Sequence, residues 1–196
     1  MSDAGDDEGS SIDISIRNYK LGAVVGAGAY LVGYVLTYVL AVIDGAEAEG
    51  VDTFWRGVGW LLYSAHNILI EVDLEVLGGE GDMHTNALTN PDRVAGVTET
   101  IPQAVYLLVP VIVLVAAGFV VYKMADESAL STRGAAGLGG TVLFGYYALA
   151  IVGMFLFTLS FGPNRVGPWL GMGFVVLAVY PAIFGAIGGI VAHQTS

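Results

Sequence analysis

The sequence predicts an all-α fold, a transmembrane helical bundle of four spans plus one interfacial or re-entrant helix, and three observations carry that prediction. First, four stretches at about residues 21–43, 104–122, 135–161 and 166–192 contain no Asp, Glu, Lys, Arg or His. At about 1.5 Å of rise per residue, each is long enough to cross a hydrocarbon layer of roughly 30 Å. Second, the 196 residues are 55% hydrophobic and 13% charged, with a mean hydropathy of +0.71. So little polar surface cannot cover a water-soluble globule, and most apolar residues must face lipid or each other. Third, a fifth uncharged run, Gly57 to Ile70, is fourteen residues long. That is short for a span and suits a re-entrant or surface-lying helix over about residues 55–70.

In chain order, residues 1–17 read as a disordered acidic N-terminal tail. Met1 to Ser11 have no basic n-region, so the tail is not expected to be a signal peptide. Residues 18–196 read as a single transmembrane domain. Ile12, Ile14 and Ile16 alternate with polar residues in a short strand-like or interfacial piece. The first span carries Tyr30, Tyr34 and Tyr38 four residues apart on one face. These phenols either fill packing gaps or line a polar path. Gly22, Gly26 and Gly33 are small residues on which another backbone can pack closely.

An acidic loop with Asp44, Glu47, Glu49 and Asp52 leads to the short apolar run, whose Trp55, Trp60 and Tyr63 suit the headgroup level. Glu71, Asp73 and Glu75 then alternate with Val72, Leu74 and Val76, which puts the carboxylates on one face if this piece is a strand. A polar outer loop is expected over about residues 71–103, with turns at Gly78, Gly79, Gly81, Asn90 and Pro91. The second span contains Pro110. The third has Gly137, Thr141 and Gly145 at packing spacing, and the turn Gly162–Arg165 follows it. The fourth contains Pro181, Gly185 and Gly189. Proline inside a span frees a carbonyl, so Pro110 and Pro181 are candidate helix-break sites. Helix packing is assigned to Gly22, Gly26, Gly33, Gly137, Gly145, Gly185 and Gly189.

Charge bounds partners and orientation. Eighteen acids against seven Lys and Arg give a net charge of −11, which argues against nucleic acid and suits a chain adapted to high salt. With four spans, Arg17, Lys20, Lys123 and Arg133 fall on one side and Arg56, Arg93 and Arg165 on the other. The positive-inside rule then places both termini in the cytoplasm of a multi-pass cell-membrane protein.

Chemistry is sparse. With no cysteine, thiol catalysis, disulfides and thiolate metal sites are excluded, and no metalloprotease, phosphate-loop or nucleophile-elbow motif occurs. Neither an enzyme nor a cofactor is expected. His66 and Asn67 are the strongly polar pair inside the short apolar run. With Arg56 and Ser64 they form a candidate polar pocket if the helix is re-entrant, and they simply reach water if it lies at the interface.

Three segments, NYKLGAVVGAGAYLVGYVLTYV at Asn18 to Val39, WRGVGWLLYSAHNI at Trp55 to Ile68 and YPAIFGAIGG at Tyr180 to Gly189, resemble an uncharacterised group of haloarchaeal multi-pass membrane proteins. Members are sometimes labelled transporters, and the resemblance implies no catalytic or binding residue. Two functions stay open on the sequence. One is a small transporter-like or channel-like component acting as a homo-oligomer through its glycine-lined helices. The other is a non-transporting structural or accessory subunit that docks a partner protein through its acidic outer region.

Overall fold

A computed structural model describes residues 15–45, 51–76, 79–89, 100–125 and 131–196; within these, the side chains of 51–53 and 74–82 are not described. Most of the expected tail, the acids Glu47 and Glu49, and residues 90–99 and 126–130 lie outside the described residues. The elements run α1 (Ile16–Ile43), α2 (Val51–Ala65), β1 (Ile70–Val76), β2 (Gly79–Thr85), α3 (Gln103–Met124), α4 (Thr132–Gly140), α5 (Leu143–Leu156), β3 (Leu159–Phe161), β4 (Asn164–Pro168) and α6 (Leu170–Gln194).

Four helical stretches, Ile16–Ile43, Gln103–Met124, Thr132–Leu156 and Leu170–Gln194, are long and apolar enough to cross a membrane. Much of their surface points outward: Val24, Leu31, Ile112, Val152, Phe155 and Val175 are each more than half exposed. Apolar residues on every side of a helix are what lipid-facing segments require. The third stretch bends where α4 hands over to α5. Around Thr141 the bonds tighten to three-residue steps, Thr141 N to Leu138 O and Val142 N to Gly139 O, and the Thr141 hydroxyl also donates to Leu138 O. Pro110 and Pro181, by contrast, lie buried inside helices that run through without interruption.

The helices meet backbone to backbone. A Cβ on Gly26 would fall 2.0 Å from Val142 O, one on Gly145 1.7 Å from Ala23 O, and one on Gly118 2.0 Å from Gly185 O. Gly22 abuts Thr141, and Gly189 abuts Ala135 O. Five of the seven glycines expected at packing faces, Gly22, Gly26, Gly145, Gly185 and Gly189, are therefore used up inside one copy of the chain. Those five are correspondingly not free to join several copies. A Cβ on Gly33 would lie 3.8 Å from the Leu62 side chain, an ordinary contact, and Gly137 borders an open groove.

The all-α expectation fails at one end of the bundle, where a four-stranded antiparallel sheet runs β2-β1-β4-β3. The third and fourth spans are correspondingly shorter than their apolar runs: α5 stops at Leu156, not 161, and α6 starts at Leu170, not 166. The intervening residues form a hairpin closed by Gly162 and Pro163, with Gly162 at φ +63, a conformation that suits glycine at the first position of a two-residue loop. The polar segment 79–85, expected as loop, is strand β2, aligned by the hairpin that pairs Ile70 with Thr85 and Val76 with Gly79. α1 begins at Ile16, so that residue belongs to a helix, not to the strand-like piece expected there.

Two ends can be named. Arg17, Lys20, Lys123 and Arg133 gather at the end holding residues 16 and 194, where Tyr122 bonds His193 and Lys123 bonds Ser196. The sheet, Asp44 and the start of α3 form the opposite end.

Candidate functional site

The phenol ladder on α1 faces α2. Tyr30 hydroxyl meets Tyr63 hydroxyl at 3.0 Å, Tyr34 hydroxyl donates to Trp55 O at 2.9 Å, and Tyr38 packs edge-on against Phe54. Three rungs thus hold α2 along the sheet-end half of α1. From α5, Gly59 of α2 receives the Phe157 ring and Trp60 Nε1 donates to Phe157 O. α2 therefore descends into the bundle between α1 and α5, starting from the sheet end.

It stops at mid-depth by a local signal. Ile68 N bonds Tyr63 O and Asn67 N bonds Ser64 O, while Asn67 sits at φ +61. This is the Schellman arrangement, with asparagine in the left-handed position usually held by glycine. Beyond it Leu69 O accepts from Trp169 N and Ile70 pairs with Pro168, so the chain leaves by the end it entered. The re-entrant alternative describes this path; a helix lying flat on the surface does not.

At the tip lies a buried polar cluster. His66, 1% exposed, has Nδ1 2.7 Å from Leu62 O, so that nitrogen carries the hydrogen; Nε2, 2.7 Å from Tyr146 hydroxyl, accepts. The tautomer is assigned by these partners, and both are satisfied by a neutral ring. The Tyr180 ring of α6 lies 5.1 Å from the imidazole. One turn nearer the sheet, Tyr63 hydroxyl donates to Ala150 O at 2.5 Å and accepts from Tyr30. Gly153 makes room for both phenols, since a Cβ there would fall 2.1 Å from one hydroxyl and 2.5 Å from the other. Tyr146 and Tyr30 also touch edge to face, with ring centroids 5.4 Å apart.

The expected pocket of His66, Asn67, Arg56 and Ser64 is dispersed over four jobs. Arg56 lies ten residues before His66, about 15 Å along the helix; its Nε donates to Leu156 O at the carboxyl end of α5 and its guanidinium covers Trp55. Ser64 Oγ accepts from Ala87 N and ties the segment after β2 to α2. Asn67 is exposed and forms the turn. Only His66 of the four enters the buried cluster.

A second buried polar site was hidden in the acidic loop. Asp44, 2% exposed, caps the start of α3: its Oδ1 accepts from Thr100 N and Ile101 N, and its Oδ2 from Tyr106 hydroxyl. On the sheet, Glu71 lies 3.4 Å from Arg165 and 3.7 Å from His84. Among the described residues no group of three or more His, Asp or Glu side chains is placed to hold a metal ion.

The sequence matches a family of unknown function, DUF7978, over residues 1–196. The chain belongs to that family. No curated protein and no solved structure matches it. The site of this DUF7978 member therefore rests on its own residues. The sequence flags His66 by its setting, but Tyr146 stands 80 positions away inside a span, where a tyrosine reads as packing. The available signal was that Tyr30, Tyr146 and Tyr180 fall well inside their apolar runs, away from the interfaces where tyrosine is favoured.

Proposed function

We propose that this DUF7978 chain is a multi-pass protein of the cell membrane, with both termini cytoplasmic, acting as a small transporter-like or channel-like component seen in its closed state. One observation carries the reading: α2 enters and leaves by the same end and sets a histidine at mid-depth against a tyrosine hydroxyl, with phenols above it. Half-helices that end inside a bundle are how many transport folds present polar groups to a solute. Here the groups at that end are engaged with each other, His66 with Leu62 O and the Tyr146 hydroxyl, which fits a closed gate. The gathering of Arg17, Lys20, Lys123 and Arg133 at one end supports the orientation. The test is reconstitution into liposomes with a proton gradient or a potassium gradient, comparing the wild type with His66→Ala and Tyr146→Phe. Flux above empty vesicles, altered by either variant, is expected. Permeability equal to empty vesicles for all three proteins would overturn the proposal.

The accessory-subunit reading has its own support at the sheet. Register sets Asp73 opposite Asp82 and Glu75 opposite Glu80, so acidic positions line up across the hairpin, a pattern that suits a cationic docking partner. A stoichiometric membrane partner that is lost from an Asp82→Asn, Glu80→Gln variant, together with absent flux, would favour it.

A further inference from the structure

Two adjoining grooves open on the outside of the bundle at the end holding residues 16 and 194, with volumes of about 660 and 330 Å³. The ridge between them is the edge-to-face pair of Tyr19 and Phe144, ring centroids 5.6 Å apart, which lines both. The larger groove has Gly140, Ala182 and Ala186 among its lining residues and Arg133 on its border. The smaller is bounded by Ile16, Ala23 and Lys20. Arg133 and Lys20 are exposed, and neither forms an ion pair with an acid among the described residues.

We infer that a two-chain lipid with an anionic headgroup straddles the Tyr19–Phe144 ridge, one chain in each groove and the headgroup between Arg133 and Lys20. Apolar concavities beneath paired cations near helix ends match an amphiphile whose charge sits at the membrane surface and whose chains run alongside the helices. A second copy of the chain fits less well. A twofold interface presents the same patch to itself, so Arg133 and Lys20 would face their own copies, and like charges across an interface disfavour it. The inference rests on the membrane placement proposed above and not on transport.

The experiment titrates detergent-purified protein with phosphatidylglycerol and with phosphatidylcholine of equal chain length, counting bound lipids by native mass spectrometry. Each cation near the surface contributes about fivefold, so phosphatidylglycerol is expected to be retained at about thirtyfold lower concentration than phosphatidylcholine. The Lys20→Gln, Arg133→Gln double variant should lose that preference, and Lys20→Arg, Arg133→Lys should keep it. Ala136 also lines the larger groove, and Ala136→Leu, which fills it, should weaken both lipids. Helical content by circular dichroism shows that each variant is folded. Equal retention of the two lipids by the wild type, or an undiminished preference in the Gln variant, would overturn the inference. So would a dimer that Ala136→Leu dissociates. Failure of the membrane placement shows separately, as release of the protein from membranes by alkaline carbonate before any lipid is added.

Discussion

Where α1 meets α5, and where α6 meets α3 and α4, the contact is backbone on backbone, with Gly26 against Val142 O, Gly118 against Gly185 O and Gly189 against Ala135 O. Where α2 meets the same bundle, the contact runs through side chains, with Tyr30 on Tyr63, Tyr34 on Trp55 O, Trp60 on Phe157 O and His66 on Tyr146. The first kind of contact has no slack, because no rotamer change makes room for an added carbon. The second can be broken and remade by rotating rings and exchanging hydrogen bonds. A rigid frame around a half-length helix held by exchangeable bonds means that damage to the two regions should look different.

The largest effect should come from the frame. Gly26→Leu drives a side chain into the α5 backbone at a position where even a Cβ would sit 2.0 Å from Val142 O. Overpacking typically costs about 1–3 kcal/mol and more where the neighbour is backbone that cannot give, so loss of the folded monodisperse protein is expected in size-exclusion and thermal-unfolding measurements. Gly28→Leu is the control, since nothing lies within 4 Å of a Cβ there. A Gly26→Leu melting curve that overlays Gly28→Leu would remove the frame from the comparison.

His66→Ala should cost less, about 2 kcal/mol, from the small cavity and the Tyr146 hydroxyl left without its acceptor at mid-depth. The frame does not depend on His66, so hydrogen exchange should rise in residues 54–70 while α3 and α6 stay protected. Uniform loss of protection across all helices would show that the α2 segment and the frame unfold as one unit. Tyr63→Phe comes next. It removes one donor to Ala150 O and one acceptor for Tyr30, and hydrogen bonds between helices in membranes average under about 1 kcal/mol. A melting shift within a few degrees is expected. A collapse like that of Gly26→Leu would place the phenol pair in the frame.

The two regions were also unequally legible from residue types. The frame's spans could be placed because an uncharged run of about 20 residues announces itself whatever it packs against, and glycines four apart point to close crossings. Which surface those glycines meet is not written locally: Gly26 finds Val142 and Gly118 finds Gly185, far along the chain. The sheet was missed for a related reason. Leu159 to Phe161 is apolar enough to extend a helix on paper, and hydropathy cannot separate a short apolar strand from the end of a span. Gly79 to Thr85 lacks the apolar alternation of a strand and becomes one only because β1 is there to pair with. The short length of the α2 run pointed to a re-entrant path, yet the partner that defines the site, Tyr146, comes from 80 residues away. Asp44 read as one more acid of the loop with Glu47, Glu49 and Asp52, because a buried cap differs from an exposed carboxylate only in what folds over it.

The smallest expected effect separates a turn from a pocket. Asn67 was a candidate pocket residue on the strength of its place beside His66, but its backbone at φ +61 closes the end of α2. Glycine enters that conformation without the Cβ penalty, so Asn67→Gly should keep the unfolding free energy within about 0.5 kcal/mol of the wild type and leave any flux unchanged. Asn67→Val puts a β-branched residue in the left-handed region at a cost of about 1–2 kcal/mol, again felt first in the exchange of residues 54–70. If glycine abolished flux while leaving stability alone, the amide side chain itself would be doing chemistry, and the polar site would extend past His66 to the exposed tip of the turn. If glycine is silent and valine is not, the work of Asn67 is to close the turn that ends α2 at Ala65, which fixes the depth at which the imidazole meets Tyr146.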